Sequence, residues 1–161
     1  MSERFLFSRT LTQDELCQNA ALYVGTQLKL PSEGFSGPQL GNFIESNFME
    51  YLKDLNFHLP KKTTCDFGDM NIDLKCLQVK GKRGGAAKIH GNSRNGSEPV
   101  YDLLVMTYSL CLRKADGIGV ITIEGAFFIP CERVTWVRAE HYLFSIPDRF
   151  LKEFSCGWLE R

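Results

Sequence analysis

No run of apolar residues in this chain approaches the roughly eighteen needed to span a membrane as a helix. The first ten residues, MSERFLFSRT, hold neither the long apolar stretch nor the small-residue cleavage site of a secretion signal. Net charge is absent too. Nineteen basic side chains balance nineteen acidic ones, so total charge is silent about partners. No C-x-x-C occurs, because the six cysteines (Cys17, Cys65, Cys76, Cys111, Cys131 and Cys156) stand eleven or more residues apart, which excludes zinc-ribbon spacing. Without a secretion signal they read as free, mostly buried thiols in a reducing cytoplasm. The phosphate-loop pattern G-x-x-x-x-G-K-[ST] is missing, and GKRGG does not stand in for it. No internal repeat or linker divides the chain.

What remains is globular composition: 161 residues, 43% apolar and 24% charged. That predicts one domain, residues 1–161, and excludes a disordered chain. Thr12 and Glu15 form a T-x-x-E capping box, predicting a helix to about Leu28. Ser36 and Gln39 open a second, with Leu40, Phe43, Ile44, Phe48, Tyr51, Leu52 and Leu55 at helical spacing. These N-terminal helices occupy residues 12–56. Residues 65–80, CDFGDMNIDLKCLQVK, switch to period two around a Gly-Asp-Met-Asn turn and predict a hairpin. Residues 81–99 read as a Gly/Ser/Asn-rich loop. Residues 100–161 hold DLLVMTYSLCL as a central buried strand, GIGVITI and AFFIP as two more strands around Glu124-Gly125, and a broken C-terminal helix. The expected class is α+β, a mixed α/β domain whose central mixed sheet of about five strands is flanked by helices.

Within the hairpin, pairing Phe67 with Ile72 sets Asp66 opposite Asp73, with Cβ atoms roughly 4.5–5.5 Å apart. Lys75 shares their face, two residues beyond Asp73. Phe67, Ile72, Leu74 and Cys76 make the opposite, oily face. Opposed carboxylates repel unless something neutralises them, and a divalent cation does so. Mg²⁺ binds through one or two carboxylates and keeps positions for water and phosphate. A nearby lysine adds a fixed positive charge for an attacking water and a phosphoryl transition state. Taken alone, D-x-K is common, and a surface ion pair would explain it.

Two features add weight. Glu45 sits beside the apolar stripe of the second helix, where a carboxylate needs a partner or a task. And six basic residues (Lys75, Lys80, Lys82, Arg83, Lys88 and Arg94) fall before Ser97, with no acid between Asp73 and Glu98. His90, Asn92, Ser93 and Asn95 add neutral hydrogen-bonding groups. A neutral chain has gathered almost a third of its positive charge there, which suits a polyanion backbone. A solvated basic loop is the plainer explanation.

A helix carrying Glu45, then Asp66, then Asp73-Leu74-Lys75 on a strand, resembles the PD-(D/E)XK nuclease superfamily. The continuation NIDLKCLQVKG, a polar basic loop and YDLLVMTY is similar to type II restriction endonucleases. The resemblance covers residues 37 to 125, on short, degenerate motifs, and Cys65 stands where the family name has proline. It implies a restriction-endonuclease-like domain and a Mg²⁺-dependent endodeoxyribonuclease of a prokaryotic cytoplasm, Mn²⁺ substituting, that leaves 5′-phosphates. Asp66 and Asp73 would hold the metal with the Leu74 carbonyl. Lys75 would orient or deprotonate water, and Glu45 would complete the acidic cluster. Lys80, Lys82, Arg83, Lys88, His90, Asn92 and Arg94 would contact double-stranded DNA.

Other readings stay open. Asp69, Gln78 and Lys80 fit the same family in a rival register, although Gln78 and Lys80 share the greasy face. The chain could serve repair or recombination, bind DNA without cutting it, or act on a small molecule. A palindromic site implies a homodimer, through the first helix or the aromatics Phe144, Phe150, Phe154 and Trp158, or else a separate recognition subunit. Core packing is the alternative use for those aromatics.

Overall fold

The computed structural model describes residues 9–30, 37–59, 65–79, 87–91, 97–112, 118–138, 142–146 and 148–156. After a two-residue strand β1 (Arg9–Thr10), helix α1 (Gln13–Tyr23) opens on the expected capping box. The Glu15 amide donates to the Thr12 hydroxyl, and the Thr12 amide donates to Glu15 Oε1, each at 3.2 Å. The helix ends short of Leu28. Gly25, at φ +94°, takes a conformation L side chains rarely adopt, and turns the chain into strand β2 (Gln27–Lys29). Helix α2 (Gly37–Asp54) buries Leu40, Ile44, Phe48 and Leu52, one per turn. Its expected cap, Ser36, lies outside the described residues. Strand β3 (Phe57–His58) follows and pairs in parallel with β1.

The expected hairpin at 65–80 is only begun. Phe67 and Ile72 do pair antiparallel, the Phe67 amide donating to the Ile72 carbonyl at 2.9 Å. Gly68–Met70 then forms a single 3₁₀ turn, and Asn71 is left-handed at φ 56°. Strand β4 (Ile72–Gln78) takes its ladder from elsewhere, running parallel to β6 (Asp102–Leu112) along its whole length. In the sequence between β4 and β6 comes β5 (Ala87–Gly91), so the predicted loop 81–99 contains a strand.

GIGVITI and AFFIP are one strand, β7 (Gly119–Ile129), not two. Thr107 pairs with Gly125 and Tyr108 with Ile123, so Glu124 is the extra residue of a bulge. The bulge reverses parity. Ile121 and Ile123 before it face the helices, whereas Phe127 and Ile129 after it face away. Gly125 fits there because a Cβ would stand 2.8 Å from the Phe127 ring. The predicted C-terminal helix is mostly strand: β8 (Val137–Arg138) and β9 (Tyr142–Ile146) precede a short α3 (Asp148–Lys152). Beyond α3, the Phe128 amide donates to the Phe154 carbonyl, and Ser155 bridges Phe127.

Among the described residues the main sheet therefore has four strands, ordered β2-β7-β6-β4, and a second sheet has three, ordered β5-β9-β8. Both α1 and α2 cover one face of the main sheet, over Ile72, Leu74, Leu104, Met106, Ile121 and Ile123. The small sheet and α3 cover the other face, where Leu103, Val105 and Ile129 meet Ile89, Trp136, Phe144, Ile146 and Leu151. The fold is α+β with helices on one side and a small sheet on the other. No helix among the described residues is long and apolar enough to cross a membrane.

Candidate active site at the open edge of the fourth strand

The start of β4 gathers Asp66, Asp73 and Lys75. The Asp66 amide donates to Asp73 Oδ1 at 3.2 Å, and the Leu74 amide donates to Asp66 Oδ2 at 2.9 Å. The two acids thus clasp each other through the backbone. A strand's amides lie in the plane of the sheet, so the Asp66 carboxylate sits at the strand edge, not on one face as the hairpin geometry had implied. Because β4 is the last strand of its sheet, this edge has no neighbouring main-sheet strand among the described residues. The carbonyl of a strand residue points to the same side as its amide, which directs Leu74 O to this edge as well.

Asp73 is 3% exposed and is the one buried charged or polar residue among the described residues. It aligns with Leu103, and Lys75 with Val105, on the face that carries the second core. Lys75 Nζ lies 3.1 Å from Asp73 Oδ2. That contact is an ion pair with poor hydrogen-bond direction, because the buried Oδ2 accepts no hydrogen bond. Burial, the largest cause, pushes the Asp73 carboxyl up to about 7. Lys75 pulls it down, and the hydrogen bond and charge of Asp66 push it further up.

Glu45 is near but on the other side. Helix α2 crosses β4 at Gly41, whose Cβ position is 4.0 Å from the Cys76 Cβ. Burial and then the charges of Glu45 and Asp66 push the Cys76 thiol up to about 12. Cys76 alternates with Lys75 along the strand, so Glu45 lies against the face opposite Asp73. Asp66, at the edge, acts on both Cys76 and Asp73. The acids therefore wrap around the open edge of β4 instead of lining one face.

Among the described residues no three His, Cys, Asp or Glu side chains stand close enough to hold a metal ion. The donors present are two carboxylates and one main-chain carbonyl. That all-oxygen set suits Mg²⁺, which ordinarily uses one or two carboxylates and keeps its waters. The hydrogen-bond-free Oδ2 of Asp73 is a buried oxygen with capacity to spare, and it fits a cation.

In the rival register, Asp69 is exposed on the 3₁₀ turn before β4, and Gln78 ends the strand. At about 3.3 Å per residue they are roughly 20 Å apart, too far to share one ion. Lys80, Lys82, Arg83, Asn92 and Arg94 lie outside the described residues, as does the Lys88 side chain. His90 is exposed on β5, opposite Leu143. Phe144 is core, and Phe150 and Phe154 pack against it, so these three are not a free interface; Trp158 lies outside the described residues.

Sequence reasoning passed over Asn71. Its side-chain amide donates to the Val100 carbonyl at 2.7 Å, and its carbonyl accepts from the Asp102 amide at 2.9 Å. These bonds pin the turn against β6 and so set where Asp73 begins. The signal was available, since asparagine tolerates the left-handed backbone. No family model matches the chain, and comparison with curated proteins and with solved structures finds no significant match.

Proposed function

We propose that the chain is a metal-dependent endodeoxyribonuclease of the PD-(D/E)XK type, with a restriction-endonuclease-like site at the edge of β4. One observation carries this reading. A buried carboxylate, clasped to a second acid and 3.1 Å from a lysine, keeps an oxygen that accepts no hydrogen bond, at the edge of the last main-sheet strand among the described residues. A buried acid in that state costs stability, which argues for a task. Asp66, Asp73 and the Leu74 carbonyl would hold Mg²⁺ or Mn²⁺. When bound, the ion supplies Lewis-acid stabilisation of a phosphoryl oxygen and a more acidic water. Lys75 is held by Asp73 and keeps its ammonium beside that edge, where it orients water and balances charge on the phosphate. Glu45 acts from around the edge. Double-stranded DNA is the substrate, the basic segment after β4 its backbone contact, and a two-fold dimer accounts for a cut in both strands.

Supercoiled plasmid incubated with Mg²⁺ or Mn²⁺ is the test. Discrete linear fragments are expected, and Asp73→Ala should leave the plasmid intact. A second reading, a DNA-binding module without cleavage, is favoured by the lack of a third ligating side chain among the described residues. Salt-sensitive binding with no cutting in either metal would select it.

A further inference from the structure

A second feature of the fold is independent of the acids on β4. A cavity of about 490 Å³ opens between the chain leading into β8, strand β9 and helix α3. Its volume is that of a small-molecule site, roughly 300–1,000 Å³. Thr135, Val137, Leu143, Ser145, Phe144, Phe150 and Arg133 line it, and Val137 and Leu143 are cross-strand partners of one sheet, so they stand side by side on it. None of Asp66, Asp73 or Lys75 lines it.

Arg133 is the informative residue. Its guanidinium stands 5.6 Å from the Phe150 ring centroid and 5.0 Å from that of Phe154. Cation–π contacts at these distances hold the guanidinium beside the two rings. The five N–H donors along its edges remain, and it makes no hydrogen bond or ion pair to any described residue. An arginine held beside two rings, with no hydrogen bond to a described residue, is prepared for a bidentate anion such as phosphate. Beside it lie the Phe150 ring, the aliphatic side chains of Val137 and Leu143, and the hydroxyls of Thr135 and Ser145. A flat heteroaromatic ring meets both needs, stacking on apolar surface while its edge takes hydroxyl hydrogen bonds. An alkyl chain would leave the hydroxyls unused.

On the neighbouring strand β5, His90 stands opposite Leu143 and adds a hydrogen-bonding side chain to this sheet. The geometry points to a nucleotide-binding subsite in this cavity: phosphate on Arg133, base against Val137, Leu143 and Phe150. The nucleotide is either one unstacked unit of a nucleic-acid strand or a free mononucleotide. The subsite does not depend on the nuclease reading.

The test is calorimetric titration in EDTA, using Asp73→Asn protein so that the acids on β4 cannot contribute a metal. Thymidine monophosphate should bind saturably and more tightly than inorganic phosphate or thymidine alone. Arg133→Ala should weaken it about tenfold or more. Val137→Glu places a carboxylate in the cavity from a position already 62% exposed, so folding should survive, and it should weaken binding similarly. An oligothymidylate that binds much more tightly than the mononucleotide identifies a strand as the source. Equal affinity identifies the free nucleotide. Absence of saturable binding at millimolar concentration, equal affinity for inorganic phosphate, or indifference to both substitutions overturns the subsite. None of these results depends on whether plasmid is cut.

Discussion

The two faces of β4 have nearly the same neighbours and opposite chemistry. On one face Ile72, Leu74 and Cys76 lie beside Leu104 and Met106 under α2, all apolar. On the other, Asp73 and Lys75 lie beside Leu103 and Val105, which are just as apolar and just as buried. The strand next door therefore does nothing to welcome a charge. A hydrophobic residue in place of Asp73 would suit its surroundings better, and replacing a buried ion pair by packed apolar groups is often neutral or stabilising. What sets the charged face apart is the open edge, where Asp66 reaches around. The comparison teaches that the acids are placed by the edge and tolerated by the face.

The largest expected effect is on chemistry. If the charged face is a site, Lys75→Ala should slow plasmid cleavage by at least about 10²-fold, and Asp73→Ala should abolish it. Phe48→Ala tests the helix face. Its ring is wholly buried, 5.1 Å from that of Tyr23 and 6.0 Å from that of Tyr51. Removing it should cost about 3–5 kcal/mol in urea unfolding. Leu77→Ala, half-buried on the charged face, should cost about 1 kcal/mol. Comparable losses at the two positions would break the contrast between a packed face and a face reserved for a site.

Next in size is a pH dependence. The folded carboxyl of Asp73 titrates at about 7 against 3.8 when unfolded. Between those values the folded state holds a proton that the unfolded state lacks, so stability falls as pH rises from about 4 to 7. Above about 7 the full burial penalty is present, on the order of a few kcal/mol. Asp73→Asn removes the titration. Urea midpoints should therefore diverge across this window, with the variant more stable at pH 8 and the gap closing at pH 4. Parallel curves would show that the carboxylate is ionised without penalty. Mg²⁺ should narrow the gap at pH 8 by stabilising only the wild type.

The sequence carried the local part of this architecture. One apolar residue per turn marked α2, the capping box marked α1, and the Phe67–Ile72 pair set the turn that brings Asp66 to Asp73. What it did not carry depends on distant partners. Parallel pairing of β4 with β6 joins Asp73 to Leu103 across thirty residues, and nothing near Asp73 announces it. The segment around Tyr142–Ile146 has helical spacing, yet it is strand because β5 and β8 flank it. Glu124-Gly125 read as a break because glycine usually marks one, whereas here it admits the Phe127 ring and the strand continues. The same dependence hid the reach of Glu45, which the helix placed over Cys76 and not over Asp73.

The smallest effect tests whether the two faces are electrically separate. The Cys76 thiol is raised to about 12 by burial first, then by the charges of Glu45 and Asp66, with Lys75 opposing them. Glu45→Gln removes one of the lesser causes. It should lower the thiol pKa by less than about one unit, and so raise its alkylation rate at alkaline pH by less than about tenfold. Peptide-resolved mass spectrometry after a timed iodoacetamide pulse would read Cys76 apart from the exposed Cys111. The same substitution should leave the pH dependence assigned to Asp73 where it was, because Glu45 does not figure among the causes of that shift. Asp66→Asn should move both, since Asp66, unlike Glu45, acts on each side of the strand. If Glu45→Gln shifts the Asp73 titration as much as Asp66→Asn does, the acids form one cluster and the separation of the faces is wrong.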